Sequence, residues 1–157
     1  MGFQLTDAQQ KIFVNALSRC GECVDVQGWR YTKELGADDY NPIDVNDSDM
    51  QKQFFVSIKF LRTMFPYKGT EETIDSINLR DAAEWWWEKI EDESVPIENG
   101  IMLVAIVACG LAPKDLWLSM NVEQKAYINM NKWKKFCEDF EFEFDLEKYM
   151  KSSQSDE

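Results

Sequence analysis

From its N-terminus the chain sets apolar residues at helical spacing. Ile12, Phe13, Ala16 and Leu17 recur at steps of three and four, which gathers them on one helix face. Thr6 and Gln9 precede them as a capping box, each side chain serving the other residue's backbone N–H, and Gly21 is placed to close the helix. In "CVDVQGWRYT", 23–32, the period drops to two on either side of Gln27-Gly28, which predicts a short hairpin. The stretch "ADDYNPIDVNDSD", 37–49, is a loop by its Pro, Asn and Asp content. Ser48 with Gln51 forms a second capping box. It opens a helix that turns Phe54, Phe55, Ile58 and Leu61 inward and stops before Pro66.

Thr70 is expected to cap a short helix carrying Ile74 and Ile77, and Asn78 to cap the next, over about residues 79 to 93. That helix contains three consecutive tryptophans. Leu79, Ala82, Ala83, Trp86 and Ile90 share one face at about 100° per residue. Trp86 belongs to the core on this count and Trp87 to its rim. Trp85 points well away from both, toward a second layer or a partner. The run from Ile101 to Ala108 is apolar all round, which marks a buried helix far too short to span a membrane. Gly110 ends it, and Pro113 suits the first turn of a following helix. The last long helix is expected from near Asn121, with Val122, Ala126, Met130, Trp133, Cys137 and Phe140 on one face.

The period then changes again. In "FEFEFDL", 140–146, apolar and acidic residues alternate, which reads as a strand with Phe140, Phe142, Phe144 and Leu146 on one side. Glu141, Glu143 and Asp145 line the other, and the 23–32 hairpin is the available pairing partner. The pattern as a whole predicts a mainly α (α+β) fold. It is a single globular domain over 1–150, a bundle of about five to six helices with a small antiparallel β element, followed by a disordered tail over 151–157.

Charge sharpens this picture. The 157 residues include 29 Asp and Glu against 17 Lys and Arg, a net charge of −12, while 45% of residues are hydrophobic. Such a chain folds, and its field opposes direct binding to nucleic acid or to an anionic membrane. Segments 38–49, 81–98 and 138–147 hold eighteen of the acids and, in Lys89, one of the bases. The rest of the chain is net basic, so the negative charge is concentrated. Alternate acids on a strand would repeat about every 6.7 Å, a row loosely like one nucleic-acid strand.

Candidate chemistry is sparse. The chain has no histidine, which removes Ser-His-Asp and Cys-His catalysis and imidazole metal ligation. Its seven glycines form no phosphate loop. Cys20 and Cys23 have the spacing of a redox or zinc pair. They follow a predicted helix where a redox pair would begin one, and Cys109 and Cys137 are too isolated to complete a zinc site, so all four read as structural thiols. From Asp44 a calcium-loop pattern starts but fails at its strictest positions, where Asp49 replaces Gly and Phe55 replaces Glu. A capped helix start explains the same residues. No metal, cofactor or enzymatic activity is expected. The N-terminal stretch lacks a basic region followed by an apolar run, which points to the cytoplasm.

These features together predict a non-catalytic acidic binding protein that engages a basic, nucleic-acid-binding partner. In its sharpest form this is a DNA-mimic inhibitor of a host defence nuclease, of the anti-CRISPR or anti-restriction type carried by phages or mobile elements. The candidate contact residues are Glu138, Asp139, Glu141, Glu143 and Asp145, together with Trp85 and the acids Glu84, Glu88 and Glu91. An alternative follows from "CGLAPKDLWLSMNVEQK", 109–125, which resembles the G-L-x-P-x-x-[FL]-W…E turn of some phage tail-assembly chaperones. That resemblance covers under a fifth of the chain and implies a structural adaptor.

Overall fold

The computed structural model describes residues 2–20, 24–29, 41–69, 72–112 and 124–143. Among these, five helices and two short antiparallel ladders surround one hydrophobic core. The helices are α1 (Asp7–Cys20), α2 (Ser48–Met64), α3 (Ser76–Glu91), α4 (Asn99–Ala108) and α5 (Met130–Asp139). Strands β1 (Val24–Asp25) and β2 (Gly28–Trp29) form one ladder, and β3 (Thr73–Asp75) and β4 (Lys125–Tyr127) the other. The mainly α fold with a small β element is therefore as the sequence indicates.

The centre is α4. Every residue from Asn99 to Val107 is buried, so the helix has no polar face to turn to water. Helices α1, α2 and α3 and the first hairpin enclose it. At its N-terminus Gly100 allows the hairpin to approach at backbone distance: a Cβ there would lie 1.7 Å from the Asp25 carbonyl oxygen. The Gly100 N–H donates to the Val26 carbonyl at 3.0 Å. The Asn99 side chain donates to the Gln27 carbonyl and to Gln124 Oε1, and accepts from the Ser76 hydroxyl at 2.7 Å. One buried amide thus ties the hairpin, the start of α3 and the approach to β4 to the head of α4. At the other end Gly110 adopts φ +72°. The Gly110 N–H reaches the Val107 carbonyl and the Leu111 N–H the Ile106 carbonyl, a glycine-terminated Schellman ending.

The Thr6–Gln9 capping box forms in both directions, at 3.0 and 3.2 Å. The cap of α2 is one residue earlier than the sequence suggests. Asp47, not Ser48, is the N-cap, and its carboxylate accepts from the Met50 N–H at 2.9 Å. Ser48 instead donates to the Phe3 carbonyl. Gln51 accepts from the Leu5 N–H and donates to the Val45 carbonyl, so the expected box residues pin the N-terminal segment to α2. The hairpin is also shifted by one. Its turn residues are Val26 and Gln27, because the Asp25 carboxylate accepts the Gln27 N–H at 2.9 Å and sets the bend there.

Three expected elements are overturned. Residues 73–75 are a strand, not part of a short helix. Ile74 faces the core while Ile77 is exposed, and Asp75 rather than Asn78 caps α3 through the Ile77 N–H. The last helix does not begin near Asn121. Lys125–Tyr127 pairs with β3 in the register Thr73↔Tyr127, Ile74↔Ala126 and Asp75↔Lys125, and Asn129 then caps α5 by accepting from the N–H groups of Asn131 and Lys132. Ala126 and Ile128 are both buried, a period of two that a helical reading of Ala126, Met130 and Trp133 conceals.

The third correction is the acidic strand. Phe140 ends α5 and Glu141 takes φ +52°. The Phe142 N–H then returns to the Cys137 carbonyl at 3.0 Å, a second Schellman-type ending without glycine. Phe140 and Phe142 fold back onto Phe136, with ring centroids at 5.1 and 5.8 Å, and Phe142 also meets Trp133 edge-on at 6.0 Å. The alternation that suggests a strand is satisfied by a left-handed turn that returns both rings to their own helix. Phe144, Asp145 and Leu146, the tail 151–157, Cys23, Thr70, Pro113 and Val122 lie outside the described residues.

Two stability outcomes follow. Trp86 is 4% exposed and packs at 5.6 Å on Phe60, so Trp86→Ala should lose about 3–5 kcal/mol in urea denaturation. Glu141→Gly should gain about 1 kcal/mol in the same assay, because glycine enters the left-handed region without the Cβ penalty. A destabilised Glu141→Gly would count against the turn.

Candidate acidic cleft

Helix α3 carries Asp81, Glu84 and Glu88 at spacings of three and four, which places them along one stripe, with Trp85 beside them. The stripe opens onto a cleft of about 460 Å³ whose other walls are Val95, Pro96 and Phe142. Trp85 is half-buried. Its indole N–H donates to the Phe140 carbonyl at 2.7 Å, and its ring lies 6.4 Å from that of Phe142. Trp85 therefore meets a second layer of its own chain, the end of α5. Trp86 and Trp87 are both core. Trp87, expected at the rim, is buried against Phe55 and donates its indole N–H to Glu93 at 2.9 Å. Ile90, expected in the core, is 46% exposed because it sits on the last turn of α3.

The carboxylates of the cleft differ in environment. Glu84 is half-buried, and its Oε2 accepts the Ile97 N–H at 2.6 Å, which fixes the 94–97 segment against α3. Burial raises its pKa above the ordinary carboxylate range, opposed by that hydrogen bond and by Arg80. Asp81 receives Arg80 Nη2 at 3.1 Å, and Glu88 is exposed. Lys89 lies over the Trp85 ring with Nζ 4.4 Å from its centroid, a cation–π contact worth about 0.5–1 kcal/mol at an exposed site. Carboxylates on one side and aromatic and apolar walls on the other suit the cleft to a cation with a flat or apolar body.

The sequence-predicted residues fall into three groups. Glu84, Trp85 and Glu88 come together in the cleft. Glu138 and Asp139 are exposed at the end of α5, and exposed Glu141 and Glu143 flank Phe142, the residue that closes one wall. Glu91 is separated from these. It lines a second cavity of about 330 Å³ between α2 and α3, with Lys59, Arg62, Trp86, Trp87 and Ile90. Asp145 lies outside the described residues. Sequence reasoning missed Asp81 as a cleft residue, although its spacing from Glu84 was visible. It also missed Phe142 as a wall, because a strand would have aimed that ring elsewhere.

Asp44 and Asp47 serve local structure: the first accepts the Asn46 N–H and the second caps α2. Among the described residues no three Cys, Asp or Glu side chains are grouped to hold a metal. Burial pushes the Cys109 thiol up to about 11 against the opposing Arg62 guanidinium, and burial also raises Cys137, so both thiols favour the neutral form. Of the stretch 109–125 that resembles a tail-assembly chaperone turn, residues 113–123 lie outside the described residues. Among those described, no helix is long and apolar enough to cross a membrane.

The fold and cleft define a mainly helical protein with an acidic, aromatic-walled depression on one side. Comparison with protein-family models, curated proteins and solved structures found no match.

Two carboxylates give opposite pH signatures. Glu93 is held below the ordinary range, first by the Lys52 ammonium and then by the Trp87 indole N–H. Its stabilisation is complete above the unfolded carboxylate pKa and fades as pH falls through the lower folded value. Glu84 is raised, so its charge opposes folding at neutral pH and that penalty disappears on acidification. Thermal melts between about pH 7 and pH 3 should therefore show Glu93→Gln below the parent and Glu84→Gln, whose amide oxygen can still accept from Ile97, at or above it. Both differences should close at the acid end. A Glu84→Gln deficit that persists there would contradict the assigned cause.

Proposed function

We propose that this chain is a non-catalytic binding protein whose acidic face engages a basic, nucleic-acid-binding protein partner, in its sharpest form as a DNA-mimic inhibitor of a phage-encoded, anti-defence kind acting in the cytoplasm. One observation carries this reading. The Trp85 indole joins the middle of α3 to the end of α5, and so brings two of the three acid-rich segments of the sequence to one side of the molecule. The support is this meeting of the acidic segments. A row of acids at strand spacing no longer contributes, since residues 141–143 are not a strand.

A surface of like charges is costly to hold together, and a basic partner relieves that cost on binding. Attraction of this type acts at long range and is screened within about 8 Å at physiological ionic strength. Carboxylates flanking an aromatic cleft also provide the arrangement of a binding hot spot, an anchor site surrounded by charge.

The test is affinity capture from a bacterial lysate with the tagged chain, compared with a variant carrying Glu88→Gln, Glu138→Gln, Glu141→Gln and Glu143→Gln. Captured partners should be basic, should be released by salt, and should be displaced by an added DNA duplex. The variant should bind at least tenfold more weakly, about 1.4 kcal/mol, with an unchanged melting temperature. Capture that is indifferent to salt and to DNA would refute the proposed function.

A further inference from the structure

A cation of the chain itself already sits over Trp85, beside the cleft rather than among its lining residues. Lys89, one turn along α3 from Trp85, sets its ammonium 4.4 Å from the indole centroid. It is exposed, and it is the one base in a segment with seven acids. The indole N–H is occupied by the Phe140 carbonyl, which leaves the ring itself as the part of Trp85 that can meet a cation. Asp81, Glu84 and Glu88 supply the counter-charge on the same helix, and Phe142, 6.4 Å from Trp85 at an interplanar angle of 54°, forms a second aromatic wall. Charge complementarity requires a cation, and the walls require one with apolar or flat faces. A guanidinium meets both demands. It stacks on indole and pairs with carboxylates through a planar fork, whereas an ammonium is a compact, strongly hydrated point charge.

We infer that the cleft is a receptor for an arginine side chain of the basic partner. This rests on the proposed function for the source of the arginine, while the chemistry of the cleft is testable without any partner. The volume of about 460 Å³ accommodates one such side chain together with the water it retains.

The experiment titrates the full chain with Nα-acetyl-arginine methylamide and, in parallel, with the neutral isostere Nα-acetyl-citrulline methylamide. Indole N–H resonances are followed by NMR, with the Trp85 signal assigned from Trp85→Phe. Arginine should give a saturable shift of the Trp85 signal and citrulline none. Lys59→Met, a change of charge on α2 outside the cleft, should leave arginine binding within about a factor of 1.5. Glu84→Gln with Glu88→Gln should weaken it at least tenfold. An equal response to citrulline, or arginine binding undiminished in the Glu84→Gln, Glu88→Gln variant, would overturn the inference. The two readings fail separately. Without arginine binding but with a DNA-displaceable basic partner, the arginine receptor is wrong and the function stands. With arginine binding but no such partner, the cleft stands as an arginine site and the proposed function falls.

Discussion

A ten-residue helix with no polar face must be enclosed on all sides, and that requirement organises this fold. Helix α4 cannot tolerate water along any stripe, so α1, α2, α3 and the first hairpin must all reach it. Its own hydrogen bonds are internal except at the ends, and those ends carry the most specific chemistry in the core. Gly100 and Asn99 accept the hairpin at one end, and Gly110 turns the chain at the other. Trp86 and Trp87 are buried on a different side: helix α3 packs on α2 as well as on α4, and the two adjacent indoles meet Phe60 and Phe55 of α2.

Where the sequence carries two independent signals for one feature, it is legible. The first helix has a capping box and a stripe; α4 has an unbroken apolar run and a terminal glycine. Where one periodicity stands alone, a competing period can account for the same residues. Ala126, Met130 and Trp133 match a helical face, yet Ala126 and Ile128 match a strand face equally well, and the pairing with Thr73–Asp75 decides it. Residues 73–75 are legible only through that distant partner, fifty-two residues away in sequence at the Ile74↔Ala126 pair. At 140–142 the error is different in kind. A left-handed residue breaks the link between alternation in sequence and alternation in space, and nothing about Glu141 announces that conformation. The cleft was half visible for the same reason: its α3 side follows helical spacing, while its Phe142 side depends on the turn.

The acids divide by what they accept. Asp25, Asp44, Asp47 and Asp75 each accept a backbone N–H near the start of an element or in a turn, and Glu93 accepts from Lys52 and from the Trp87 indole. Those carboxylates are explained by folding alone, since an unpaired N–H at a helix start needs an acceptor and an anion there is favoured by the helix dipole. Folding thus accounts for several acids, including Asp44 and Asp47 of the 38–49 segment. What remains is smaller and better localised than the net charge of −12 suggests.

Glu84 belongs to neither group cleanly, and for that reason it is the most informative carboxylate. It anchors Ile97, so it has a structural reason to be present, but an amide could accept the same hydrogen bond without the cost of partial burial. The fold accounts for the hydrogen bond at Glu84 but not for its charge, and that charge lies beside a tryptophan whose ring already attracts a lysine. The stabilising hydrogen bond and the unfavourable charge act at the same residue, which is the feature the proposed function draws on. The same acid in a turn or at a helix start would be satisfied by its own backbone and would have nothing left to offer a partner.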